Sequence, residues 1–218
     1  MSSNKYGYVA DTGPEQSFQN NPGVFDPADI NNLIADNKWT NYGQLELIET
    51  KTFSGTVSAV DFIDIKETEY DIHYMTLSNM KTAGDNQESC TIQLYESGVL
   101  ETASVYQFGV QNNSTISGLE NYERKSTGAS AINFNFGAGN DTGEQDDGYF
   151  YFYNLGDSSK YSFVTGQFVG LSNASKIYTS FGSALLPQAS QVDGIRVKKN
   201  TGDYAGFKIS LYGIKEYS

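Results

Sequence analysis

Residues 137–148 are the strongest candidate for a metal site in this sequence. They read Gly-Ala-Gly-Asn-Asp-Thr-Gly-Glu-Gln-Asp-Asp-Gly, with Asp141, Glu144, Asp146 and Asp147 set between glycines. Carboxylate oxygens on a pliable loop suit calcium, although the spacing does not match the EF-hand pattern. The alternative, which we favour, is a solvated hairpin tip, because Gly, Asn and Asp also dominate tight turns. Calcium is therefore the one cofactor that the sequence suggests.

Residues suited to catalysis are few and poorly grouped. His73 is the only histidine, and no Gly-x-Ser-x-Gly motif supplies a nucleophile beside it. Zinc would need several His or Cys ligands. A glycan hydrolase, the remaining enzymatic alternative, needs two carboxyl groups facing one cleft. Alternation along a strand instead spreads the clustered acidic residues over both faces; these are Asp61, Asp64, Glu67, Glu69 and Asp71. We expect a protein that is not an enzyme.

Residues 149–153 read Tyr-Phe-Tyr-Phe-Tyr, so a strand built from them has two aromatic faces. One face would join the core, and the other would be covered by a neighbouring chain, by the N-terminal segment or by a ligand. Tyrosine rings stack on sugars while their hydroxyls form hydrogen bonds. The candidates for glycan stacking are Tyr149, Tyr151 and Tyr153, with Tyr178 and Tyr204 as further candidates. Because buried aromatic residues are commoner than exposed platforms, we place core and N-terminal packing ahead of a sugar.

The charge of the chain excludes several classes of partner. The 218 residues include 26 acidic and 14 basic side chains, giving a net charge of −12. Nucleic acids and anionic lipids attract Lys and Arg, so neither is an expected partner. No apolar run reaches the length of about 18 residues needed to span a membrane. Cys90 has no second cysteine to pair with, and the N-terminus lacks the pattern of a secretory signal, so we expect synthesis in a cytoplasm.

From residue 44 onward the sequence has the period of two that is typical of strands. Short apolar and aromatic runs alternate with clusters of Gly, Asn, Asp and Ser. Residues 207–212 are typical, since Phe207, Ile209 and Leu211 share one face. Ten or more such runs predict an all-β, jelly-roll-like β-sandwich over residues 44–218, with an up-and-down barrel as the alternative.

Residues 1–43 differ from the remainder and predict an extended N-terminal arm with one short helix. Three of the four prolines lie here, and sustained apolar periodicity is absent. The helix is predicted after Asp26, because Pro27 suits a first helical position. Its apolar stripe would dock on another protein or, equally, pack on the chain's own domain. The candidate docking residues are Phe25, Ile30, Leu33 and Ile34.

Four segments resemble a known group of proteins: residues 20–25, 42–50, 58–62 and 209–215. They are similar to segments of virion structural proteins of tailed phages, particularly those of marine cyanobacterial phages. The resemblance covers the arm, the first two strands and the last strand. It implies a β-rich, multi-copy particle component on the virion surface, either a capsid decoration protein or a tail-fibre protein, assembled in the host cytoplasm. It also implies a homo-oligomer, with a trimer as the first expectation.

These observations combine into one expected function. The chain would be a non-enzymatic virion component, with the arm docked on other virion proteins and the sandwich displayed outward. The alternative is a carbohydrate-binding host-recognition module of a tail fibre, whose partner is a host surface glycan. A chain with net charge −12 is not expected to face packaged DNA.

Overall fold

The computed structural model describes residues 27–35, 45–85, 87–88, 90–117, 121–134 and 137–215. These residues belong to two units, which divide between Gly43 and Gln44. The first unit contains helix α1, Pro27–Ala35. Proline lacks the N–H that a first helical turn leaves unpaired, and Asp29 in that turn favours the helix dipole. The predicted short helix is confirmed.

The second unit is built from strands. In chain order they are β1 (Leu45–Val57), β2 (Ala59–Ile63), β3 (Ile72–Thr82), β4 (Gln87–Glu88), β5 (Thr91–Glu96), β6 (Val99–Leu100), β7 (Tyr106–Ser114), β8 (Asn121–Ala129), β9 (Ile132–Asn133), β10 (Gly137–Ala138), β11 (Asp146–Tyr153), β12 (Tyr161–Leu171), β13 (Ile177–Ala189), β14 (Val192–Lys198) and β15 (Tyr204–Ile214). All of their pairings are antiparallel.

Most of the strands form two sheets of unequal size. The large sheet has eight strands in the order β1-β15-β3-β11-β12-β13-β7-β8. The small sheet has the order β2-β14-β5-β6, with β9 also paired to β5, and β10 pairs with β4. The chain crosses repeatedly between the two sheets, as it does in jelly-roll-like sandwiches. The predicted all-β sandwich is confirmed, whereas the alternative of one closed barrel is not observed.

One hydrophobic core joins the two sheets. Phe150 and Phe152 of the large sheet belong to the same buried cluster as Ile92 and Ile195 of the small sheet. A hydrogen bond also links the sheets, because the hydroxyl oxygen of Tyr106 on β7 accepts the backbone N–H of Leu94 on β5 at 2.9 Å. The core therefore lies between the sheets, and the opposite face of each sheet points outward.

Strand β8 shows where alternation fails as a predictor. Its sequence, Asn-Tyr-Glu-Arg-Lys-Ser-Thr-Gly-Ala, contains no apolar period of two, so the pattern does not reveal it. The strand forms one edge of the large sheet and pairs with β7 alone. An edge strand needs fewer apolar residues, and charged side chains there discourage pairing with other chains. Pairing with β7, rather than its own composition, makes this segment a strand.

Glycines on the inner face make room for the core phenylalanines. Phe150 packs edge-on against Phe168, with 5.2 Å between ring centroids. A side chain at Gly166, the residue opposite Phe150 on β12, would overlap the Phe150 ring. A side chain at Gly148 would lie 2.7 Å from the Phe168 ring. The close approach of ring and backbone therefore requires glycine at both positions.

We predict that Gly166→Ala lowers the free energy of unfolding by about 1–3 kcal/mol, the usual cost of overpacking a core. The added Cβ would lie 2.6 Å from the carbonyl oxygen of Tyr149 and against the Phe150 ring. Urea denaturation followed by circular dichroism measures the loss. Gly109→Ala is the matched control, because a Cβ at this strand glycine meets no atom within 4 Å. Equal losses in the two variants would contradict this account of the packing.

Candidate functional site

The outer face of the large sheet carries a cluster of five tyrosines. Along β11 the phenylalanines point into the core, so Tyr149, Tyr151 and Tyr153 point outward. Tyr74 on β3 and Tyr212 on β15 join them on this face. We call these five residues the tyrosine cluster. The structure therefore groups the three predicted stacking residues and adds two tyrosines that the sequence analysis missed.

Rings of the tyrosine cluster contact one another across neighbouring strands. Tyr74 lies directly opposite both Tyr151 and Tyr212 in the strand register. Its ring centroid lies 4.7 Å from that of Tyr151 and 6.2 Å from that of Tyr212. Burial raises the pKa of Tyr74 and of Tyr153, so both hydroxyls stay protonated at neutral pH. The cluster is thus a neutral aromatic surface that carries hydrogen-bonding groups.

A shallow groove of about 450 Å³ lies beside the tyrosine cluster. The tyrosines of β11 line one side, Phe181 and Ser183 of β13 line the other, and Thr165 and Gln167 of β12 lie between them. The Tyr149 hydroxyl donates to the side-chain carbonyl of Gln167 at 3.4 Å. The groove therefore combines aromatic rings with hydroxyl and amide groups, the chemistry that neutral polar ligands use.

Next to the groove, strands β12 and β13 expose large apolar side chains. We call Tyr161, Phe163, Val169, Ile177 and Phe181 the apolar strip; each is between 43% and 50% exposed. These five are among eleven exposed large hydrophobic residues in the part of the chain that the structure describes. Exposed apolar side chains grouped on one sheet face are typical of an interaction surface.

The centre of the outer face is free of charge. Residues paired across neighbouring strands form rows that run perpendicular to the strands. Tyr149, Tyr151 and Tyr153 each belong to one such row, and every residue in these three rows from β15 to β7 is uncharged. The middle row, for example, contains Tyr212, Tyr74, Tyr151, Thr165, Ser183 and Gly109. Charges lie at the margins, such as the 2.6 Å ion pair between Lys125 and Glu123 on β8. In a chain of net charge −12, this neutral surface is unusual.

The acidic residues of the calcium candidate point to different places. Both carboxylate oxygens of the buried Glu144 are occupied, accepting the Asp141 N–H at 2.9 Å and the Ser175 hydroxyl at 3.2 Å. Asp146 is buried on the inner face, whereas Asp147 accepts the Asn79 N–H at 2.8 Å. Within the described ranges, no group of three or more His, Cys, Asp or Glu residues could hold a metal. Four residues of the segment, Asp141, Thr142, Gly143 and Gln145, are exposed, as in a solvated hairpin tip, whereas Glu144 and Asp146 are buried.

Tyr178 and Tyr204 are buried in the interior, so the prediction that they stack on a sugar is wrong. The Tyr178 hydroxyl donates to the Asp146 carboxylate. The Lys199 ammonium, also buried, lies 5.6 Å from the centre of the Tyr204 ring and has no hydrogen-bond partner among the described residues. Burial lowers the pKa of Lys199 to about 8, against the opposing attraction of Asp146 and Asp203. These groups form an enclosed polar cluster rather than a ligand site.

The lone histidine has a structural environment. His73 is buried, and its Nε2 lies 2.8 Å from the carbonyl oxygen of Ile65, to which it donates in the matching tautomer. Burial lowers the pKa of His73, so the ring is neutral at pH 7. The ring packs edge-on against Tyr70, with 6.0 Å between centroids. No nucleophile is among these contacts.

Asp61 and Glu67, two of the five acidic residues between 61 and 71, are hydrogen-bonded to other side chains. Asp61 accepts two hydrogen bonds from Arg196, at 2.6 and 2.8 Å, and these bonds hold the pKa of Asp61 below its ordinary value. Glu67 accepts from the side-chain amide of Gln191 at 2.8 Å. These partners occupy the carboxylates of Asp61 and Glu67.

The structure does bring together one carboxyl pair that the sequence analysis missed, Glu96 and Glu101. Burial raises the pKa of Glu96, while the Ala103 N–H lowers the pKa of Glu101. Ser190 donates to Glu96, and Gln188 donates to Glu101 at 3.2 Å. The hairpin of β5 and β6 pairs Glu96 with Val99, and the side chain of Glu101, two residues beyond Val99, lies next to that of Glu96.

In the first unit, the structure describes three of the four candidate docking residues. Ile30 and Leu33 are half-buried and Ile34 is 54% exposed, all on α1. Phe25 lies outside the described residues. Within the described ranges, no helix is both long and apolar enough to cross a membrane.

Comparison with known proteins leaves the family of this chain open. It matches no protein-family model and no curated protein. Among solved structures, a crystal structure of a human SPRY domain aligns with 82% of this chain and 100% of its own length. The identity is 9% and the TM-score is 0.28, which is too low to support a statement about fold or function.

We predict that removing the buried Lys199 ammonium changes how stability depends on pH. The pKa of Lys199 is about 8 in the folded protein and 10.5, the ordinary value for lysine, in the unfolded chain. Between these two pH values, the unfolded chain holds a proton that the folded chain has lost. The free energy of unfolding of the wild type should therefore rise through this window by up to roughly 3 kcal/mol relative to Lys199→Met. Urea denaturation at several pH values measures the difference.

The matched control for this measurement is Lys208→Met, which removes an exposed lysine of β15. Its stability should follow the wild type throughout the pH range. If the free energies of unfolding of Lys199→Met and of the wild type changed in parallel with pH, Lys199 would keep its proton in the folded protein and the prediction would be wrong.

Proposed function

We propose that this chain is a non-enzymatic structural component of a tailed-phage virion. Residues 1–43 attach it to other virion proteins, and the sandwich of residues 44–218 is displayed outward. The sequence resemblance supports the phage assignment. From the structure, support comes from the neutral and partly apolar outer face of the large sheet, a surface suited to binding.

The polar groups of the sandwich fit a binding role better than a catalytic one. His73 is buried and neutral, Asp61 is paired with Arg196, and Glu144 is hydrogen-bonded on both oxygens. Each of these groups maintains the fold. The large outer face instead presents rings, hydroxyls and amides, which bind partners without transforming them.

We predict that deleting residues 1–43 yields a folded β protein that no longer joins the particle. The core residues that the structure describes all belong to the second unit, so the deletion removes none of them. Circular dichroism tests the fold, and quantitative mass spectrometry of purified particles tests incorporation. If the truncated chain were incorporated into particles at full occupancy, the docking role proposed for residues 1–43 would be wrong.

A pair of point variants tests the same role more finely. Leu33→Asp places a charge on the apolar stripe of α1, whereas Asn32→Asp places the same charge on an exposed neighbouring position. Leu33→Asp should lower occupancy and Asn32→Asp should preserve it, since burying a charge in an interface is costly.

A second candidate function, recognition of a host surface glycan, is favoured by the groove beside the tyrosine cluster. Sugars present apolar C–H faces and hydroxyls, which match the rings of Tyr149 and Tyr151 and the polar groups of Thr165 and Gln167. The absence of charge from the three central rows favours a neutral glycan over an acidic one.

We predict that Tyr151→Ala weakens glycan binding about tenfold, corresponding to about 1.4 kcal/mol. Tyr151→Phe retains the ring and should keep most of the affinity if stacking dominates. A glycan array with host lipopolysaccharide identifies the ligand. Titration of this ligand into the wild type, Tyr151→Ala and Tyr151→Phe then gives the ratios of their dissociation constants. Failure of the wild type to bind any glycan, or unchanged binding by Tyr151→Ala, would remove this candidate.

A further inference from the structure

We propose that two copies of this chain associate face to face through the apolar strip of β12 and β13. In this arrangement Phe181 of each copy enters a hollow on the other copy. The proposal goes beyond the particle role and does not depend on it, because it concerns the isolated protein in solution.

The exposure of the strip is the first reason. Phe163, Val169, Ile177 and Phe181 project from two neighbouring strands, and each leaves more than two fifths of its surface in water. Leu45 and Leu47 of β1 lie on the same face of the sheet and are also exposed. Burying these side chains is favourable by about 25 cal/mol per Å² of apolar surface.

Charge identifies a second copy as a suitable occupant. Two molecules with a net charge of −12 repel each other wherever acidic surfaces meet. The three rows through Tyr149, Tyr151 and Tyr153 hold no charged side chain, so two copies can meet there without burying an unpaired charge. Asp147, which lies opposite Val169, is at the edge of this contact. The neutral face is therefore the surface at which like-charged copies repel each other least.

The outer face of the large sheet carries both a projecting side chain, Phe181, and a hollow, which a two-fold axis can bring together. A hollow of about 400 Å³ lies on the same face, and its lining includes Gly109, Ser126, Thr127, Phe163, Ser183 and Leu185. A Cβ at Gly109 would have no atom within 4 Å, so the floor of the hollow is open. Phe181 projects from the same strand two residues from Ser183, at a spacing of roughly 7 Å. A two-fold axis passing between these residues places Phe181 of each copy on the hollow of the other.

The size of the face suits a reversible dimer. The six strands of the three rows, at a spacing of about 4.8 Å, and some six residues at about 3.3 Å each cover roughly 570 Å². Two such faces amount to roughly 1,100 Å², which lies near the lower limit for specific interfaces. The dimer should therefore form at micromolar or higher concentration and strengthen as salt screens the like charges.

The experiment is sedimentation velocity of the full chain over a range of protein and salt concentrations. The monomer mass is 23.9 kDa, so a dimer has twice this mass. Phe181→Asp should weaken association at least about tenfold, since it places a charge in the apolar contact. Ile63→Asp is the matched control, because Ile63 is 56% exposed but lies on β2 of the small sheet. It should leave the dissociation constant unchanged.

A second variant keeps the test decisive if Phe181→Asp disturbs folding. Gly109→Trp fills the hollow from within each copy and should also weaken the dimer, while Gly109→Ala should not. Thermal unfolding confirms that each variant is folded. A monomeric wild type at high protein and salt concentration, a trimer, or equal weakening by Phe181→Asp and Ile63→Asp would overturn the proposal. A monomer that binds glycan through the groove would assign the face to sugar instead.

Discussion

The packing of Phe150 against the backbone of Gly166 is the contact on which the outer face depends. Phe150 reaches into the core between the sheets and meets Phe134 and Phe168, with ring centroids 4.8 and 5.2 Å away. It can do so because the opposite residue of β12 has no side chain. Interiors are close-packed, so such a contact tolerates little displacement along the strand. The contact thereby holds β11 and β12 in one register.

That register decides what the protein presents to its surroundings. Shifting a strand by one residue exchanges its two faces, which on β11 would put Tyr151 in the core and Phe150 in water. In the observed register, Tyr151 instead meets Tyr74 across the sheet, and the groove forms between β11 and β13. The neutral outer face is thus a consequence of how the inner face packs. Both proposed uses of this face, glycan recognition and self-association, depend on the same core contacts.

Several charged and titratable groups of the sandwich are hydrogen-bonded to other groups of the same chain. Arg196 neutralises Asp61, the Tyr178 hydroxyl serves Asp146, and the carbonyl of Ile65 engages His73. Groups that look reactive in the sequence are therefore used to satisfy one another in a low-dielectric interior, where unpaired polar atoms are costly. Among the residues that the structure describes, the Lys199 ammonium and the Nδ1 atom of His73 are buried without a hydrogen-bond partner. The exposed surface, not the buried chemistry, is where the structure supports a function.

By itself the sequence determined the local features of this protein. Proline at position 27 and the spacing of Ile30, Leu33 and Ile34 predicted α1, and alternation predicted the inward face of β15, because helical and strand periods are properties of neighbouring residues. On β11, where both faces are aromatic, alternation did not predict which face enters the core. Only the tertiary structure decided which strands are neighbours. It made a strand of the polar residues 121–129, buried Tyr178 while leaving Tyr151 at the surface, separated Glu144 from Asp147, and paired Glu96 with Glu101. Each of these outcomes depends on contacts between residues distant in the chain or on the register of a turn, which no local period encodes.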